Sequence, residues 1–279
     1  MTQAALAEDT VCLPGGLALG EGWCLRQAEL RALSGREEEW LASHPTAPST
    51  LAVTETLRGC LLRLGGAGTD RDTVRQLPVG DRDFLMLRLR ALTLGEMFRA
   101  VVVCPTCRER MDVSFHATDV PVESGGPAQP EYALDLPVAS GGLRRIRFRL
   151  PTGADQEAVL GLDAETARTT LLGRCLLGDD GAPLTPGECD EVEVAMERQA
   201  TRIDLELDLT CPDCGASFTL PFDTTAFFLQ ELRAGSRQLM REFHSLAFHY
   251  HWSEADILAM QRGRRRLYLS LLSDELRRT

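Results

Sequence analysis

The sequence predicts an α+β protein, mainly helical, with a small antiparallel β zinc-ribbon-like core built from two Cys-Pro-x-Cys knuckles and a hairpin-and-helix insertion. Three observations lead there. Cys104-Pro-Thr-Cys107 and Cys211-Pro-Asp-Cys214-Gly215 stand between strand-like flanks, about a hundred residues apart. Apolar residues recur at helical spacing before, between and after them. Short alternating runs bounded by glycine and proline border both cysteine pairs.

Composition narrows the class. A chain of 279 residues with 44% hydrophobic and 25% charged residues buries a real core and makes one large or two small domains. The N-terminal MTQAALAEDT has neither the basic start nor the apolar stretch of a signal peptide, and no apolar run reaches the length of a membrane span. The expected address is the cytoplasm. Nine cysteines, five of them single (Cys12, Cys24, Cys60, Cys175, Cys189), do not make a secreted disulfide framework, and those five are expected as small buried hydrophobes. All thirty basic residues are arginine and asparagine is absent, the mark of a GC-rich genome rather than of a mechanism. A net charge of −11 opposes nonspecific binding to a nucleic acid backbone, which needs a basic footprint.

Taken in order, residues 11–22, with Gly15, Gly16, Gly20 and Gly22, read as an irregular lead-in. Arg26 to Leu41 has helical spacing, broken at Ser34-Gly35 into two short helices. Leu51, Thr54, Leu57, Leu61 and Leu64 share one face of a helix over 50–64 that stops at Gly65-Gly66. In the next helix Asp81 or Asp83 is the expected cap, Phe84, Leu85, Leu87 and Leu92 the apolar side, and Arg82, Arg88 and Arg90 the outward face.

After the first cysteine pair, Met111, Val113 and Phe115 alternate as a strand. Tyr132 to Val138 and Leu143 to Leu150 form a hairpin around Ser140-Gly-Gly142. Its second strand carries Arg145, Arg147 and Arg149, and the strand before the second pair carries Asp204, Glu206 and Asp208. Side-by-side placement of these two polar faces would pair opposite charges, while separate solvated faces are the alternative. Pro151-Thr-Gly-Ala-Asp155 is expected to cap a helix through Leu162, and further helices are expected over about 164–177 and over 185–200. Phe218, Leu220 and Phe222 complete a strand, Asp223 or Thr224 caps a long helix to Tyr250, and a last helix starts at Ser253 with Trp252 packed on Ile257. The expected division is an N-terminal helical region over 1–97, a knuckle β domain over 98–222 with an insertion over about 118–200, and a C-terminal helical region over 223–279.

A C-x-x-C loop turns both sulfurs toward one ion at about 2.3 Å, so Cys104, Cys107, Cys211 and Cys214 make a closed four-sulfur zinc site with no position left for substrate. The site is therefore read as structural. Gly215 fits a turn that closes around a metal. The other use of the motif, a redox pair, places its first cysteine at a helix N-terminus, whereas strands follow both pairs here. His244, His249 and His251 also cluster, but among Phe248, Tyr250 and Trp252 they read as a packed helix junction before they read as metal ligands or acid–base groups. Arg262-Gly-Arg-Arg-Arg266 with Tyr268 is the dense basic tract; touching RNA or DNA is the sharper reading and a solvated or protein-facing stripe the plainer one.

Several segments together resemble the proteins related to the baseplate hub assembly component of T-even phages, encoded with contractile tails and phage-tail-like injection systems. They are GDRDFLMLRLR (80–90), VVVCPTC (101–107), FRLPTGADQE (148–157), LLGRCLL (171–177), LTCPDCG (209–215) and HSLAFHYHWSEADILAMQRGRRRLYLSLL (244–272). The resemblance implies a non-catalytic structural or assembly protein whose partners are baseplate, hub or tube subunits, with no small-molecule substrate, no nucleic acid and no membrane insertion. A zinc-ribbon regulator that contacts nucleic acid is the second reading and a thiol oxidoreductase the third.

Overall fold

The computed structural model describes residues 8–137, 142–178 and 183–278. It begins with a β-hairpin, β1 (Glu8–Ala18) and β2 (Cys24–Arg31), where the sequence reads as an irregular lead-in and a helix. Gly15 and Gly16 do not end a strand. They form a bulge, with Gly16 at φ +90°, and the register shifts between Cys12 and Leu17. Ala28 and Leu30 are buried at period two, which satisfies strand pairing better than the helical spacing that overlaps it.

The break at Ser34 is real, since Ser34 and Glu37 make a reciprocal capping box at the start of α1 (Gly35–Ser43). Helix α2 (Ser49–Cys60) ends four residues before the expected point, and its continuation β3 (Leu61–Leu64) turns at Gly65-Gly66 into β4 (Ala67–Gly68). Leu61 and Leu64 lie opposite Leu30 and Ala28 in a sheet ordered β1-β2-β3-β4. Asp70 caps α3 (Arg71–Gln76), and α4 (Val79–Leu94) follows with Pro78 at its N-cap.

Hairpins β5 (Met97–Val103) with β6 (Arg110–His116) and β7 (Tyr132–Pro137) with β8 (Leu143–Phe148) form as expected; residues 138–141 of the second turn lie outside the described residues. Helix α5 (Gly153–Ala158) is shorter than expected, α6 (Ala164–Cys175) runs into β9 (Leu176–Leu177) on the edge of β8, and α7 (Pro186–Gln199) starts from a Thr185–Glu188 capping box. A third hairpin, β10 (Leu205–Thr210) with β11 (Ser217–Phe222), leads to α8 (Thr224–Ala234), capped by Asp223. Gly235 breaks the expected long helix, and α9 (Ser236–Tyr250), α10 (Glu254–Ala259) and α11 (Arg262–Leu276) finish the fold.

About half of the chain is helical and the sheets are small and antiparallel, so the fold is mixed rather than mainly helical. The largest core lies not at the cysteines but between the β1–β4 sheet and α1, α2, α4 and α8, around Leu13, Leu30, Leu57, Leu85, Leu89 and Phe228. Helix α4 is packed on several sides, which is why its arginines depart from the amphipathic reading. Arg82 is 1% exposed and donates to the Thr50 carbonyl and the Thr54 hydroxyl. Arg90, 3% exposed, pairs with Glu231 and lies 3.9 Å over the Phe98 ring. Asp81 does not cap the helix. It is fully buried and accepts from the N–H groups of Gly15 and Gly16.

Residues between β6 and β10 build their own core from Tyr132, Leu136, Phe148, Leu172 and Val192, and this segment is tied to the start of α4 at two points. Pro78 bridges Thr152, and Gly80 lies so close to Thr201 that a Cβ would stand 1.9 Å from the Thr201 carbonyl oxygen. Glu123 and Arg202 exchange both backbone hydrogen bonds and an ion pair. The arginine strand β8 does not reach the acidic strand β10: Arg145 faces Asp135, Arg147 faces Glu131, and β10 pairs with β11. Local hairpin closure costs less chain entropy than pairing strands sixty residues apart, and it prevails. Of the single cysteines, Cys60 and Cys175 are buried as expected, Cys24 and Cys189 are half-buried, and Cys12 is exposed.

Candidate metal centre

Each cysteine pair occupies the tip of a two-stranded hairpin, and the two tips are built alike. In the first, Cys104 N–H donates to the Glu109 carbonyl and Arg108 N–H to the Cys104 carbonyl. In the second, Cys211 N–H donates to the Ala216 carbonyl and Gly215 N–H to the Cys211 carbonyl. The residue after the second cysteine is left-handed in both, Gly215 at φ +70° and Arg108 at φ +66°. The sequence shows the first of these through its glycine. The second is hidden because arginine rarely adopts that conformation.

An aromatic wedge holds the hairpins side by side below the tips. Phe98 stacks on Phe115 at 4.7 Å, Phe115 meets Phe222 edge-on at 5.1 Å, and Phe222 rests on Phe227 of α8. With Leu87, Ala91 and Leu205 these rings make a small dry core against α4. The tips are thereby set opposite each other through packing that does not involve sulfur.

The Sγ atoms of Cys104, Cys107, Cys211 and Cys214 all lie within 4.8 Å of one another. Across the hairpins Cys104 and Cys214 are 3.8 Å apart and Cys107 and Cys211 3.6 Å apart. A tetrahedron with metal–sulfur bonds of about 2.3 Å has a sulfur–sulfur edge of about 3.8 Å, so the donor set fits a four-thiolate ion. Cys104 and Cys211 are buried, Cys107 is half-buried and Cys214 reaches solvent. Backbone N–H groups of Cys107 and Thr106 point at the Cys104 sulfur and hold its thiol below the usual range.

The remaining candidates are arranged otherwise. His244, His249 and His251 are exposed; the His244 ring stacks on Phe248, and Tyr250, Trp252 and Tyr268 pack together beside them. Among the described residues the metal-ligating cluster is made of the four cysteines. In the basic tract, Arg265 is fully buried between Glu38 and Glu242, and Arg262 lies 3.6 Å from Glu38. These two arginines are spent inside the protein.

Sequence reasoning did not foresee a cavity of about 770 Å³ between α2, α4, β10 and the start of α8. Arg82, Asp83, Asp204, Glu206 and Asp223 line it. Burial lowers Arg82 to about 10 and raises Asp83 to about 6, the latter against a hydrogen bond from the Thr225 hydroxyl. No spacing signal marks this site, because its walls come from five separate segments.

Comparison with known proteins adds one match. A family model described as "T4 bacteriophage base plate protein" fits residues 27–178, more than half of the chain. The matched stretch runs from β2 to β9 and includes Cys104 and Cys107; it stops before Cys211, Cys214 and the C-terminal helices. No curated protein and no solved structure matches the chain.

Proposed function

The chain belongs to the T4 bacteriophage base plate protein family, and from that premise we propose that it is a non-catalytic structural or assembly component of the baseplate or hub of a contractile, phage-tail-like injection system. Its partners on this reading are baseplate, hub or tube subunits, and its place is the cytoplasm and then the assembled particle. The family match over 27–178 carries the proposal. Two features support it. Among the described residues no helix is long and apolar enough to cross a membrane. The basic tract, with Arg265 and Arg262 turned inward, offers little to a nucleic acid.

The proposal extends to a structural zinc held by Cys104, Cys107, Cys211 and Cys214. Four thiolates around one ion leave no open coordination position, so the metal would supply folding energy rather than chemistry. It would cross-link two hairpins whose loops are 104 and 110 residues apart in the pairs Cys107–Cys211 and Cys104–Cys214. The unit thereby closed is a zinc-ribbon-like module over 98–222 carrying an insertion over about 118–200, between the regions 1–97 and 223–279. Support for this arrangement is the separate core of the insertion and its stitched ends at Glu123 and Arg202.

Deleting the gene in a host that makes such particles tests the assignment. Electron microscopy is expected to show tubes and sheaths without complete baseplates, and normal particles would refute it. Elemental analysis of the purified protein tests the metal, with one zinc per chain expected. A content near zero, with all four cysteines freely alkylated, would remove the metal without touching the baseplate reading. Cys104→Ser is expected to lose the zinc and loosen the two hairpins, read as increased amide exchange over β5, β6, β10 and β11.

A further inference from the structure

Helix α9 turns no carboxylate outward, although the chain is acidic. The chain carries 41 acidic residues against 30 basic ones, yet α9 holds a single carboxylate, Glu242. That carboxylate is 5% exposed and faces inward to Arg265. The inner face of the helix, Leu239, Phe243 and Leu246, closes a small core with Ile257. The outer face is left with Arg237, Met240, Arg241, His244 and Phe248, at spacings that put them on one stripe. Met240 is 46% and Phe248 66% exposed, about 12 Å apart along the axis. Neither Arg237 nor Arg241 has an ion-pair partner among the described residues.

We propose that this stripe docks an acidic amphipathic helix of a neighbouring baseplate subunit. The inference rests on the baseplate reading and specifies the partner's chemistry. Met240 and Phe248 would fill the partner's apolar seam, and Arg237 and Arg241 would face carboxylates flanking that seam. A second copy joined through the same stripe is disfavoured, because a twofold contact would set these arginines against their own equivalents. Nucleic acid is disfavoured too. Met240 and Phe248 put two large exposed apolar side chains into the stripe, and the net charge of −11 repels a polyanion.

The test is site-specific photo-cross-linking in cells assembling the particle. A benzophenone amino acid replaces Phe248 in one strain, and exposed Trp23 or Leu143 in two others. At 248 the cross-link is expected on one baseplate subunit, in a segment with apolar residues at helical spacing and carboxylates beside them. Arg241→Glu, a surface change that leaves the circular dichroism spectrum unaltered, is expected to reduce its yield several-fold. Cross-links from 248 to nucleic acid, to a second copy or to a basic segment would overturn the inference. So would silence at 248 while position 23 or 143 reaches baseplate subunits. If none of the three positions reaches a baseplate subunit, the functional reading itself falls.

Discussion

Replacing Arg265 by methionine isolates what holds the C-terminal helices to the rest of the protein. The guanidinium is fully buried. Its Nη2 donates to Glu38 Oε1 at 2.7 Å, its Nε to Glu242 Oε2 at 3.2 Å and its Nη1 to the Met260 carbonyl at 2.9 Å. Arg265→Met fills much of the same volume but leaves two carboxylates, 7% and 5% exposed at the side chain, without their buried cation, Glu38 keeping only Arg262 at 3.6 Å. Breaking a buried charge pair from one side costs about 3–5 kcal/mol, while the Met260 carbonyl keeps its bond from Gly35 N–H. The loss is focused because few other backbone bonds join the parts: Gly35 N–H to the Met260 carbonyl and Arg262 N–H to the Leu33 carbonyl, which together make the Ser34–Gln261 bridge. Urea unfolding with amide exchange is the assay, and α9 to α11 are expected to open before the β1–β4 sheet. The variant Arg265→Met with Glu38→Gln and Glu242→Gln removes the stranded charges and is expected to recover to within about 2 kcal/mol of the parent. A single variant that loses under about 1 kcal/mol, or a triple variant no better than the single, would refute an electrostatic origin.

Other outcomes follow from single groups. Asp83, raised to about 6 chiefly by burial, weakens the fold when charged, so stability falls as pH rises from about 4 to 6. Asp83→Asn keeps the acceptor for Thr225 and is expected to add about 1–3 kcal/mol at pH 7.5 and nothing near pH 4, read from urea midpoints; equal effects at both pH values would exclude the mechanism. Asp155 behaves in the opposite sense, because bonds from Arg149, Arg174 and Thr152 outweigh its burial and hold its carboxyl well below the usual range. Its stabilisation is complete above about pH 4 and is lost as the pH falls below that, and Asp155→Asn is expected to cost about 2–3 kcal/mol, moderated because both arginines are partly hydrated. Gly215→Val forces a branched side chain to φ +70° and is expected to cost about 1–2 kcal/mol, whereas Arg108→Gly relieves the matching turn and leaves thermal stability equal or higher by up to about 1 kcal/mol.

Much of the molecule is legible from local chemistry. The capping boxes at Ser34 and Thr185, the Asp223 cap, the three hairpins from β5 to β11 and the two cysteine loops depend on residues within a few positions of one another. The four-sulfur cluster is legible for the same reason, since each loop presents its own pair and only their meeting requires the fold. The β1–β2 hairpin is not legible, because Gly15 and Gly16 serve a bulge whose N–H groups are met by Asp81, sixty-five residues away.

By itself, then, the sequence determined which segments turn, cap and alternate, and which four sulfurs have the spacing to share an ion. Tertiary structure alone decided where the charges lie. Arg82, Arg90 and Arg265 look like surface arginines by periodicity, and each is buried where remote segments meet it: Thr50 and Thr54 at the Arg82 Nη2, Glu231 at Arg90, Glu38 and Glu242 at Arg265. Helical spacing reports the environment of a helix with one wet face. Helices packed on several sides, such as α4, answer to partners that the local pattern does not encode.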